Sequence, residues 1–249
     1  MIIPSDDPLA AALVAAIRGG DVETLRRLLN EKAGLAAARI AMGDSCDADG
    51  MPRTLLHIAA DWPGHLPNGA ITVAVLIAAG AEVNARFATP GGETALHWAA
   101  SSDDVAVLDA LLDGGADIEA PGAVHTGGGP ISDAVVFAQW KAARRLVERG
   151  ARTTIWQAAA LGLLDRVQEH FAGDMPPAPE QITNAFWHAC RGGQRQTAEY
   201  LLGRGADLNW IGYGDSTATE AAQETGATEF VEWLRGRGGK SAQELKISP

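Results

Sequence analysis

Cysteine is nearly absent: Cys46 and Cys190 are the only two in 249 residues. They stand 144 positions apart with no metal-ligand spacing, which excludes a disulfide framework and suits a reducing compartment. No apolar run approaches the roughly 18 residues that a membrane-crossing helix needs. The first residues, Met1 to Asp7, hold no basic stretch, which argues against a signal peptide. Basic residues are in deficit, 20 against 31 acidic, for a formal charge of −11. Free nucleic acid and anionic membrane are repelled by such a surface, and a basic or neutral partner suits it better. Lysine is scarcer still, 4 against 16 arginines, and with abundant alanine this hints at a GC-rich bacterial genome. The acidic chain reads as cytoplasmic.

What is present is a repeat. The stretch Glu93-Thr94-Ala95-Leu96-His97-Trp98-Ala99-Ala100 opens a unit in which Thr94 is a good N-cap and His97 reaches back across the first turn. Val105, Leu108, Leu111 and Leu112 then recur at helical spacing, and Gly114-Gly115 stops that second helix. The closing signal appears at Gly80-Ala81, Gly115-Ala116, Gly150-Ala151 and Gly205-Ala206, in steps of 35, 35 and 55 residues. The opening signal recurs at Thr54 to Ala60 and, degraded, at Pro130 to Ala134 and Asn184 to Ala189. So small a unit cannot bury its apolar faces alone and needs neighbours like itself.

The pattern resembles the ankyrin repeat, with its signature close to T-P-L-H-x-A. The resemblance is strong over 53–153 and 184–210 and weaker over 9–30, 155–171 and 217–235, where Thr and His are lost. It implies an all-α fold, an ankyrin-type helical repeat solenoid of about seven units with two divergent terminal ones. The expected organisation is one array over 1–238, with units at 9–34, 53–84, 93–119, 130–153, 154–175, 182–209 and 216–238. A frayed tail over 239–249 and strand content close to nil complete the expectation. Residues 62–69, rich in Pro and Gly, read as a loop inserted between the two helices of the second unit. Turn-forming stretches at 86–92, 120–129 and 210–215 stand where ankyrin-like arrays place projecting fingers.

Several chemical signals fail on inspection. Asp47-Ala48-Asp49-Gly50 looks like part of a calcium loop, but Leu56 stands where the bidentate Glu is required. Gly239-Lys240-Ser241 resembles a phosphate loop, yet Leu234 replaces the first glycine and a helix precedes it. The resemblance makes His57 and His97 structural ties between a helix start and the neighbouring loop. Trp156 and Trp187 are expected to take that histidine's place in units five and six. No metal and no cofactor is implied.

In ankyrin-like arrays the position after the motif histidine faces the concave groove. Here that column reads Val14, Ile58, Trp98, Asp133, Gln157, His188 and Ala221, followed one turn on by Trp62, Ser102 and Phe137. Finger residues Arg86, Phe87, His125, Trp210 and Tyr213 stand where they can close over the same groove. Ile58, Trp98, Asp133 and His188 of that column, the three residues one turn on and the finger residues, with Trp98 as anchor, are the candidate contact set of a monomeric, non-catalytic module that binds a protein partner, since aromatic and Arg residues dominate such surfaces. The alternative is a small-molecule site or enzyme built on Trp98, Asp133 and His188. No Ser or Cys nucleophile stands beside a base at readable spacing, which weighs against catalysis.

Overall fold

Caps decide where the helices begin. In the computed structural model, which describes residues 1–41, 51–89, 91–173 and 175–247, Asp7 accepts from Leu9 N at 2.8 Å to open α1 (Pro8–Gly19). Asp21 caps α2 (Val22–Glu31) through Thr24 N. Thr54 opens α3 (Leu55–Ala59), which the 62–68 loop joins to α4 (Gly69–Ala78). Thr94 and His97 form a reciprocal capping box on α5 (Ala95–Ser101). The buried Asp104 caps α6 (Val105–Asp113) at Val107 N, 3.1 Å away. Pro130, whose missing N–H costs nothing in a first turn, starts α7 (Pro130–Val136), and α8 (Trp140–Glu148) follows.

These elements form the first of two compact units, Met1–Ala151 and Arg152–Pro249. In the first, each opening helix packs on the next, α1 on α3, α3 on α5 and α5 on α7. The second helices stack likewise, α2 on α4, α4 on α6 and α6 on α8. Leu13, Ile17, Leu25, Leu56, Leu76, Leu96 and Leu108 fill the space between them, all fully buried. The 62–68 loop bridges neighbours: Asn68 Nδ2 donates to Gly20 O (2.9 Å) and His65 N to Asp104 Oδ2 (2.6 Å). Gly20 has φ +66°, and a β-carbon there would overlap the Pro67 carbonyl, so glycine is required twice over.

The second unit repeats the plan. Thr154 and Gln157 cap α9 (Ile155–Leu161), and α10 (Leu164–Ala172), α11 (Pro179–Arg191) and α12 (Arg195–Gly203) follow. Thr217 and Glu220 cap α13 (Ala218–Gln223), ahead of α14 (Thr228–Gly236) and α15 (Ala242–Ile247). Helix α11 packs on α9 and on α13, with Phe186, Ala185 and Ala189 fully buried between them. Gly192 passes so close to the Ala160 carbonyl that no β-carbon fits.

Strand content is close to nil, as expected: β1 (Ile2–Ile3) pairs in parallel with β2 (Arg39–Ile40), which pairs antiparallel with β3 (Arg53–Thr54). One expectation needs correction. The tail is not frayed through 247. Thr217 Oγ1 donates to Lys240 O (2.8 Å), Ala242 N to Glu220 Oε2 (3.0 Å), and Arg235 pairs with Glu244. Among the described residues no helix is long and apolar enough to cross a membrane. Cys46 and the calcium-loop-like stretch fall within 42–50, outside the described residues.

Candidate functional site

Each motif histidine ties its helix to the following finger. Thr94 N–H donates to His97 Nδ1 (3.1 Å), so that nitrogen accepts and Nε2–H is left to donate to Gly128 O (3.4 Å). His57 does the same between Thr54 Oγ1 (2.7 Å) and Glu93 O (3.1 Å). Burial holds both imidazoles neutral, pushing each down to about 4 against weaker upward pulls from the carbonyls. In the second unit Trp187 takes over the task, its Nε1 donating to Ser216 O at 3.0 Å. The expected equivalence of Trp156 shifts by one residue. Thr154 is the N-cap of α9, so Gln157, three positions on and bonded back to Thr154 N at 2.7 Å, occupies the histidine's place. The column after it then contains Ala158 in place of Gln157.

That column is not a solvated strip. Ile58, Asp133, His188 and Ala221 are all buried, and only Trp98 among the large members is half-exposed. Ile58 is core and is withdrawn as a contact residue. Ser102 is likewise buried, beneath Gly64 of the inserted loop. Trp98 is wedged: its ring lies 4.8 Å from His57 and 5.3 Å from Phe87, with the Arg53 guanidinium 5.3 Å from its centroid. Its Nε1 donates to Glu93 Oε2 at 3.1 Å.

Glu93, absent from the candidate set, links Trp98 to Asp133. Neither Asp133 oxygen receives a well-formed hydrogen bond. The group it faces is the Glu93 carboxyl, and two carboxyls pair only when one is protonated. Burial foremost, then the charge and hydrogen bond of Glu93, push Asp133 up to about 8, with the nearby Val124 amide pulling slightly the other way. Burial raises Glu93 as well, opposed by its bonds to Asp133 and Trp98 and by His125. One proton shared across this pair is therefore the neutral-pH state.

Around it, Arg86 Nη1 staples one finger to the next by donating to Gly92 O (3.2 Å) and Pro121 O. The His125 ring sits 5.6 Å from Phe137. Large apolar groups stay in solvent on this unit: Trp62 is 77% exposed, Val124 59% and Phe137 42%. Between the two finger tips lies a cavity of about 310 Å³, with Glu93 its single charged lining residue.

His188 belongs to the second unit. It is ringed by Trp156 (4.7 Å), Trp187 (5.1 Å) and Tyr213 (5.4 Å), and burial drives it down to about 3. Tyr213 also meets Trp210 at 6.0 Å and accepts from Asn184 Nδ2 at 2.8 Å. A second cavity of about 600 Å³ opens beside Trp156, His170 and Asn184. Neither cavity is lined by Trp98, Asp133 or His188, so the small-molecule pocket expected around those three is not formed by either of them.

The family model described as "Ankyrin repeat" matches residues 91–123, the span from the tip of one finger to the tip of the next. It covers the helix pair α5–α6, opened by the Thr94–His97 capping box, and α3 carries the same kind of histidine tie through His57. The chain is an ankyrin repeat protein. No curated protein matches this ankyrin repeat protein. Among solved structures it is similar to the human ASB11 ankyrin repeat domain, at 24% identity over 76% of this chain and 90% of that one, with a TM-score of 0.45. Its fold is the all-α ankyrin-type repeat solenoid.

Proposed function

We propose that this ankyrin repeat protein is a non-catalytic interaction module that binds a protein partner through the finger side of its first unit. The observation that carries the reading is the exposure of Val124 on one finger and of Phe137 beside His125 of that finger, with Trp62 exposed on the inserted loop, on a unit whose leucines are mostly packed away. Isolated apolar groups of this size contribute to a surface when a partner desolvates them. His125 beside Phe137, and Phe87 and Trp98 on the neighbouring finger, supply the aromatic and polar surroundings of such a contact. Trp98 forms its floor rather than its projecting anchor, because four neighbours already hold it. Acidic charge favours a basic or neutral partner. In the second unit Tyr213, 54% exposed on its finger, offers a further contact.

The test is comparative capture from a lysate of the native host on immobilised wild type, Phe137→Ser and Val124→Ser. A protein retained by wild type should fall about tenfold on each variant, the scale of a lost interface anchor. Thermal melts of all three should coincide, since both side chains face solvent. Equal retention on wild type and both variants contradicts the reading.

A further inference from the structure

A carboxyl buried away from water is ordinarily matched by a cation or by several donors, because the uncompensated charge is costly. Asp133 has neither: it is 0% exposed, no well-formed hydrogen bond reaches its oxygens, and beyond the nearby Val124 amide it faces another acid, Glu93. The arginines nearby are committed elsewhere. Arg86 staples the fingers, and Arg53 binds Asp61 at 2.7 Å while covering Trp98. Glu93 opens onto the 310 Å³ cavity between the finger tips, whose remaining walls are mostly glycine backbone. A small-residue wall leaves room for an incoming group and offers carbonyl oxygens, while the one lining charge is negative.

We propose that this cavity seats the guanidinium or ammonium group of a basic side chain from the protein partner, held by the Glu93 carboxylate above the Asp133 carboxyl. The proposal rests on the protein-binding reading and names the chemistry that the partner brings. Three features favour a side chain over a bare metal ion. The space equals about ten water volumes, more than a coordinated ion fills. Among the described residues no group of three or more His, Cys, Asp or Glu gathers to hold a metal. The unit already shows a guanidinium resting on Trp98, next to the same glutamate. An arriving cation also changes the acid pair. It supplies the missing counter-charge, so the shared proton leaves for solvent and Glu93 meets the ligand with the ionised Asp133 behind it. Binding is therefore coupled to proton release.

The experiment uses the full chain and three blocked tripeptides, acetyl-Ala-Arg-Ala-amide, its lysine counterpart and its citrulline counterpart. Each is titrated by calorimetry at neutral pH in two buffers of different ionisation heat, on wild type, Glu93→Gln and Asp133→Asn, with melts recorded alongside. The basic peptides should bind at least about tenfold more tightly than the neutral citrulline one, as for a charge-selective contact. Their binding should release protons, Glu93→Gln should weaken it by about tenfold, and Asp133→Asn should abolish the proton release. Equal binding of the citrulline peptide, no saturable binding of either basic peptide, or indifference to Glu93→Gln overturns the proposal. So does displacement of the basic peptides by calcium chloride, which would make the cavity a metal site. A captured partner that depends on Phe137 but ignores Glu93→Gln defeats the cation seat alone. Success of the peptides with no partner retained defeats the protein-binding reading alone.

Discussion

Asp133 shows how a single side chain can set the pH response of a fold. In the unfolded chain it ionises at the ordinary 3.8, whereas in the folded one burial beside Glu93 holds the proton on until about pH 8. Its contribution to stability is therefore complete below 3.8 and is lost progressively as pH rises towards 8. Asp133→Asn keeps the shape, donates an amide N–H to Glu93 and has no proton to lose. Its stability relative to wild type should grow steadily between pH 4 and 8, measured by urea melts across that range, and parallel curves would contradict the shared proton. The buried histidines act in the opposite direction. His57, His97 and His188 stay neutral in the fold, so their contribution is lost as pH falls from 6.5 towards 4, or towards 3 for His188. The motif histidines were legible in the sequence because their partners Thr54 and Thr94 stand three residues away. Glu93 was not, since the acid it faces lies forty positions on and is brought near only by stacking of α5 on α7.

At the scale of elements, neighbouring helix pairs are joined by one side chain reaching the carbonyl before the next cap. His57 reaches Glu93 O, and Trp187 reaches Ser216 O, in each case the residue immediately ahead of a capping threonine. Trp187→Phe keeps the ring but removes the donor and leaves that carbonyl without its partner. It should destabilise the protein by about 1–2 kcal/mol in chemical unfolding, and an unchanged midpoint would mean that the bond contributes nothing. A second joint is ionic. Arg145 Nε meets both Asp109 oxygens at 2.9 Å and Arg149 Nη1 meets one at 2.7 Å, clamping α8 to α6. Asp109 is partly exposed, so Asp109→Ala should cost only about 1 kcal/mol, and less in high salt. A loss that salt does not diminish would point to packing instead. The sequence marked these helices well, because N-caps, leucine spacing and closing glycines act within one turn. It missed β1 and β2, two-residue strands whose pairing partners lie far along the chain. It also missed α15, whose anchoring depends on contacts with Thr217 and Glu220 more than twenty residues before it.

For the molecule as a whole, the repeat settles the architecture, and the proposed contact surface rests on departures from it. By the repeat pattern alone, the column after the motif histidine lines an open groove. In the fold that column is mostly buried, because Asp133 and His188 sit beneath fingers and aromatic neighbours that no local pattern announces. The surface proposed above lies further out, at the finger tips with Val124 and Phe137 and at Trp62 on the inserted loop. Hydrogen exchange on the isolated protein and on its complex with the captured partner addresses that claim most directly. Protection on binding should concentrate in 86–94 and 120–137, the two fingers and the helix that follows them, and leave α6 and α8 unchanged. Protection confined to α6 and α8, with both fingers exchanging as freely as before, would contradict it.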